Sequence, residues 1–163
     1  MKTKKLALLS MCVALAMILS FVESQIPALI AVPGVKAGLA NIAVVFALYR
    51  LGAKEAVCIS LVRVFLVALL FGSVMSLWYS LAGAVLSLTA MILLKKCGKF
   101  SCVAVSVAGG VLHNMGQIIM ACLVLETNII KYYAPFLVLS GTLSGIAIGL
   151  VSALIIKRLD IKI

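Results

Sequence analysis

Apolar residues come in six long runs along this chain, separated by short polar or turn-forming stretches. The runs are Leu6–Val22, Val35–Leu51, Ala56–Phe71, Val74–Leu94, Cys102–Leu125 and Ala134–Ile156. A helix crossing a bilayer needs roughly 17–25 apolar residues. The last three runs meet this clearly. The first is at the short end, the second carries Lys36 near one end, and the third is short and holds Arg63 at its middle. Between the runs stand Pro27, Pro33 and Gly34, then Gly52, then Gly72 and Ser73, then Gly98, then the stretch Glu126–Lys131. The pattern predicts an all-α membrane protein, a six-transmembrane-helix bundle with short connections, forming one integral membrane domain over residues 1–163.

Composition agrees. The chain is 66% hydrophobic, against about 45–50% for soluble domains, and the excess runs the whole length rather than marking one anchor. Its net charge of +10 raises the question of nucleic acid or anionic lipid, and the placement of the basic residues answers it. With the N-terminus inside, the inner segments hold eleven of them: Lys2, Lys4, Lys5, Arg50, Lys54, Lys95, Lys96, Lys99, Lys157, Arg158 and Lys162. The outer side holds two, Lys36 and Lys131, and Arg63 is intramembrane. This asymmetry follows the positive-inside rule. Both termini are then cytoplasmic, and topology rather than nucleic-acid binding accounts for the charge. Residues 1–24 also fit a signal peptide in outline. Their apolar stretch is longer than the usual 7–15 or so, and no small-residue cleavage site follows Ser24. They are read as the first helix.

The five cysteines, Cys12, Cys58, Cys97, Cys102 and Cys122, form no C-x-x-C pair and read as small packing residues rather than disulfides or metal ligands. Gly141, Gly145 and Gly149 repeat every four residues and make one face that permits close helix approach. Cys12, Ala16 and Ser20 form one stripe on the first helix, and Ser10 and Ala14 another. Two segments resemble each other, Ser80-Leu-Ala-Gly83-Ala-Val-Leu86 and Ser106-Val-Ala-Gly109-Gly-Val-Leu112, through duplication or a shared small-residue packing solution. Such stripes serve packing within one bundle or docking of a partner membrane protein, and sequence does not separate the two.

Charges and amides at membrane depth are costly, roughly 2.5–3.5 kcal/mol for a central Arg. They persist where they face a bundle interior or a water-filled cavity. Helix direction converts sequence position into depth. Lys36 falls at the outer rim and Asn41 about 7.5 Å deeper at about 1.5 Å per residue. Arg63 and His113 fall near the midplane. Gln117 lies one turn further out on the face of His113, and Asn114 is rotated about 100° from it. Trp78 and Tyr79 fall in the outer turn of the fourth helix, and Glu23 closes the outer end of the first. Polar groups from five helices thus concentrate in the outer half, which fits a pocket open to the outside. Bland roles are available for each: interfacial aromatics for Trp78 and Tyr79, snorkelling for Lys36, interhelical hydrogen bonds for Asn114 and Gln117, an interior histidine for His113, and a Glu23 partner for Arg63. The segment Gln25–Gly38 is apolar, too short for two crossings and broken by two prolines. A lid over the pocket and a loop resting on the interface both fit it.

These residues carry a family resemblance. The chain resembles the bacterial Gx transporters, also labelled heptaprenyl diphosphate synthase component I. The features are Glu23-Ser24-x-x-Pro27, Lys36-Ala-Gly38-Leu-Ala-Asn41, Arg63, Gly72, Ser80-Leu-Ala-Gly83 with Ser87, and Ser106-x-x-Gly109-x-x-x-His113-Asn114-x-Gly116-Gln117. That family in turn looks like the substrate-binding S components of energy-coupling-factor transporters. The resemblance implies a six-helix protein of the bacterial cell membrane that captures a micronutrient-like molecule from outside. It also implies a transmembrane coupling subunit with ATPases as partners.

The two family labels imply different functions. Prenyl diphosphate synthases hold diphosphate through Mg²⁺ on aspartate-rich motifs, and such hard cations need carboxylate oxygens. The acidic residues here are Glu23, Glu55, Glu126 and Asp160, no two of them close in sequence. There is also no G-x-x-x-x-G-K-[ST] phosphate loop. The chain is therefore not expected to be an enzyme, to bind a metal or cofactor, or to power transport itself. The leading expectation is a substrate-capture subunit, with Glu23, Lys36, Asn41, Arg63, Trp78, Tyr79, His113, Asn114 and Gln117 lining or gating its site. Arg63 and Lys36 point to an anionic or strongly hydrogen-bonding substrate, and the aromatics to a planar group. The alternative is a non-catalytic membrane accessory in heptaprenyl diphosphate or isoprenoid quinone synthesis, docking a soluble enzyme on its basic loops. A third reading is a proton-coupled carrier with His113 as the titrating group.

Overall fold

The computed structural model describes residues 2–25, 38–126 and 132–159. Among them the regular structure is helical: α1 (Lys2–Gln25), α2 (Asn41–Arg50), α3 (Ala53–Phe71), α4 (Val74–Cys97), α5 (Cys102–Val124) and α6 (Ala134–Arg158). The six apolar runs all become helices, and the punctuation falls where turn chemistry requires it. Ser73 caps α4 in a reciprocal capping box with Ser76. Gly98 ends α4 in the left-handed conformation, at φ 70°. The Ser101 hydroxyl accepts from the Ala104 N–H to start α5.

Four helices are long and apolar enough to cross a membrane: α1, α4, α5 and α6. The chain is a helical membrane protein on that ground. The expectation of a second helix over 35–51 needs correction. Regular helix begins at Asn41, after a turn in which Gly38 has φ 76°. Ten residues rise about 15 Å, half of the hydrocarbon core. The α3 helix has 19 residues, about 28 Å of rise, but carries Lys54, Glu55 and Arg63. Residues 26–37, with Lys36 and most of the expected lid, lie outside the described residues.

Helix α5 packs on both α4 and α6. From α6 the contacts pass to α2, from α2 to α3, and from α3 back to α4, while α1 covers α2 and α3. This placement explains α2, which is apolar on every side and has Ala43 through Leu48 all buried.

Glycines set the α4–α5–α6 spacing. A Cβ on Gly141 would meet the Gly110 carbonyl oxygen at 2.9 Å, one on Gly145 the Val107 Cα at 2.6 Å, and one on Gly149 the Val103 Cα at 2.8 Å. The four-residue glycine stripe is thus spent inside the bundle against α5, not offered to a partner. Gly116 does the same toward α4, its absent Cβ leaving 2.7 Å to the Ala82 carbonyl oxygen. On α1, the stripe of Cys12, Ala16 and Ser20 is buried, whereas Ser10 and Ala14 are exposed. All five cysteines are free thiols.

One end of the bundle gathers basic side chains with structural work to do. Arg50 donates to the carbonyls of Ile156 and Leu159, both at 2.5 Å, holding the last turn of α6. Lys95 donates to the Leu48 carbonyl at the end of α2 and stands 5.2 Å above the Tyr49 ring. Lys5 pairs with Glu55 at 2.5 Å. Helix C-termini leave carbonyls without intrahelical donors, and Arg50 and Lys95 supply donors there, where the helix dipole also favours positive charge.

Candidate functional site

A polar hollow opens away from that basic end, beside the first turn of α2. Its volume is about 580 Å³ including the open mouth. It is lined by Ser20 and Glu23 of α1, Gly38 and Asn41 at the start of α2, Arg63, Val64, Val67 and Ala68 of α3, Ser76 and Ser80 of α4, and His113 and Gln117 of α5. Five of the residues expected from sequence therefore meet around one space: Glu23, Asn41, Arg63, His113 and Gln117. They come from four helices far apart in the chain.

Arg63 is the hollow's permanent cation among the described residues. Its Nε is buried and makes no hydrogen bond among them. Glu23, 7% exposed, lies within electrostatic range of it. The Glu23 carboxylate also accepts a short hydrogen bond from the Gly38 N–H, which ties the end of α1 to the start of α2. Opposite charges so placed offset part of each other's desolvation. Glu23 is thus a local counter-charge for Arg63 and a structural tie as well as a wall of the hollow.

His113 gains its place from Gly83. A Cβ on Gly83 would fall 3.0 Å from both Cε1 and Nδ1 of the ring and 2.8 Å from the His113 carbonyl oxygen. Only a residue without a side chain lets the imidazole lie against the α4 backbone. Gln117 follows one turn on, as the i,i+4 spacing predicts.

A second, smaller hollow of about 330 Å³, its open mouth included, adjoins the first. Gly38, Asn41 and His113 line both, so Asn41 and His113 form the wall between them. The rest of its lining includes Met91, Ser106, Asn114, Ser144 and Ile148. Asn114 is 5% exposed, and its Nδ2 donates to the Leu137 carbonyl at 2.8 Å. It fastens α5 to α6 and faces the smaller hollow rather than the larger.

Trp78 and Tyr79 line neither hollow. Trp78 is 48% exposed. The reason is helix phase. Ser76 and Ser80 share a face, and at about 100° per residue Trp78 lies on the opposite side and Tyr79 roughly 80° away. Depth alone had placed the aromatics with the others. Lys36 lies outside the described residues. Sequence reasoning missed the serines of α4 and the apolar wall of Val64, Val67 and Ala68. The four-residue spacing of Ser76 and Ser80, with Ser80 in the motif already noted, was the available signal. Ser20 stood in the noted stripe, one turn before Glu23. Among the described residues no three His, Cys, Asp or Glu side chains come together as a metal site would require.

Fold and site together define an α-helical membrane protein with a polar hollow enclosed by its helices. The family model described as heptaprenyl diphosphate synthase component I matches residues 12–155, and the chain belongs to that family. The description names one component of a synthase and so implies partnership with other subunits. No curated protein and no solved structure matches the chain.

Proposed function

We propose that this chain is the substrate-capture subunit of a bacterial membrane transporter. A small micronutrient-like molecule enters the polar hollow from outside and is handed to a partner-driven uptake system with a transmembrane coupling subunit and ATPases. The chain crosses the plasma membrane six times in this reading, with both termini cytoplasmic and the basic end inward. The observation that carries it is the convergence of Glu23, Asn41, Arg63, His113 and Gln117, from four helices, on one open hollow. An ionisable group inside a membrane bundle is a functional-site hypothesis by default.

The test is mass spectrometry of any small molecule retained by the purified protein, followed by ligand affinity beside melting temperature for Arg63→Ala and His113→Ala. Weaker binding in folded variants supports the reading. Unchanged affinity in both would reduce the polar cluster to a structural role. Reconstituted alone in liposomes, the chain should show no concentrative uptake. Uptake without any partner would favour a self-sufficient carrier driven through His113.

A second reading has one observation in its favour, the family's own description. The chain would then be a non-catalytic membrane accessory in heptaprenyl diphosphate synthesis. Its exposed basic residues, among them Lys54, Lys96, Lys99 and Lys157, would dock a soluble synthase. Stable copurification with a prenyl synthase, lost when these lysines are replaced by glutamate, would favour it.

A further inference from the structure

The chemistry of the hollow limits what it can hold, and this step rests on the capture reading above. We infer that its ligand is a small monocarboxylate with a short aliphatic body and at least one hydroxyl or carbonyl acceptor, and not a diphosphate. Three features lead there.

The first is charge. Among the described lining residues Arg63 is the permanent cation and Glu23 the carboxyl group that attracts it. A ligand with one negative charge adds to this pair a single group for the guanidinium, whose Nε has no partner among the described residues. A diphosphate brings two or three charges. It would need several cations or a hard metal ion on carboxylate oxygens, and Glu23 is the one carboxylate in the described lining. That carboxylate is already engaged by the Gly38 N–H.

The second feature is hydrogen-bonding capacity. The side chains of Ser20, Asn41, Ser80 and Gln117 face the hollow and form no hydrogen bond among the described residues. With Arg63 they present two hydroxyl, two amide and one guanidinium donor group around one space. Ser20 is buried and the other three are half-buried, and polar groups drawn out of water need partners. A carboxylate carries about four lone-pair sites and can accept from a guanidinium and its neighbours at once. A further oxygen on the ligand would serve Asn41, in the lining at the α2 start.

The third is shape. Val64, Val67 and Ala68 follow Arg63 on α3 at helical spacing, giving the guanidinium an apolar floor beside it. Among the described residues no Phe, Tyr or Trp lines the hollow, and the His113 imidazole lies against the α4 backbone at Gly83, so the ligand's body is aliphatic rather than a stacked ring.

The experiment uses the full chain in lipid nanodiscs and a broad library of small monocarboxylates, each paired with its primary amide. Farnesyl diphosphate with Mg²⁺ is included as a separate probe, and binding is read by native mass spectrometry and by thermal shift. Binding acids should exceed their amides by about tenfold or more, the range of a hydrogen bond to a charged group. In Arg63→Gln that ratio should fall to near one. Ser80→Ala should weaken the same acids severalfold. Wild-type selectivity for acid over amide is a test in itself if Arg63→Gln does not fold. Equal binding of acids and amides overturns the inference while leaving the capture reading intact. So does a preference for farnesyl diphosphate, or acid selectivity that survives in folded Arg63→Gln. Failure of every probe to bind the folded wild type overturns both.

Discussion

Gly83→Ala asks whether close packing of α4 on α5 is what shapes the hollow. The added Cβ would stand 2.8 Å from the His113 carbonyl oxygen and 3.0 Å from two atoms of its ring. Comfortable contact for carbon lies near about 3.5–4.0 Å. The ring can turn aside, but the carbonyl is part of α5 and cannot. The two helices must therefore separate by roughly half an ångström to one ångström, on the same contact distances. Overpacking of this kind costs about 1–3 kcal/mol. His113 forms part of the wall of both hollows, so its displacement should also weaken ligand binding. Gly149→Ala is the matched control. Its Cβ would stand 2.8 Å from the Val103 Cα, again backbone, and 3.0 Å from Ser106, which lines only the smaller hollow, so the larger hollow is left untouched. The assay is melting temperature and ligand affinity measured together on both variants. Both should melt several degrees below wild type, and only Gly83→Ala should lose affinity by severalfold or more. An equal loss in Gly149→Ala would mean general loosening rather than a shaped site. Wild-type melting and affinity in Gly83→Ala would refute the packing account.

Further outcomes follow from single contacts. Asn114→Ala removes the donor to the Leu137 carbonyl, and interhelical hydrogen bonds in membranes are worth about 0.6–1.7 kcal/mol. Its melting temperature should fall while affinity for a ligand of the larger hollow stays within about twofold; a large affinity loss would make Asn114 a ligand contact. Glu55 precedes the apolar run that begins at Ala56, and the hydrogen bond from Lys5 holds its carboxyl below the usual carboxylate value. A depressed folded value means that the pair's stabilisation is complete above the unfolded value near about 4.3 and is lost as pH falls through the folded one. Glu55→Gln should flatten that dependence and cost at most about 1 kcal/mol, as partly exposed pairs do; unaltered acid melting would discount the pair. Cysteine reporters placed at Thr127 and at Gly98 in a chain without its native thiols should react from opposite faces of the membrane. Labelling of both from outside would refute the alternating topology.

The six helices were legible in the chain because run length and apolarity are local properties that a bilayer reads directly. The segregation of basic residues was legible for the same reason, and so was the grouping of Arg63 with His113, which line one hollow. What remained hidden depends on rotation about each helix axis and on which helix stands next to which. Depth alone put Trp78 and Tyr79 with the polar group, and phase turned them away while bringing in Ser76 and Ser80. The glycine stripe on α6 read equally well as a partner face or an internal seam, and only the position of α5 against it decided for the seam. The start of α2 at Asn41, past the lysine and two prolines, fixed where the wall between the two hollows stands. Asn114 and Gln117 are three residues apart on one helix. The neighbours of α5 gave one a carbonyl to hold and left the other facing open space, because helix packing satisfies polar groups by contact and not by sequence.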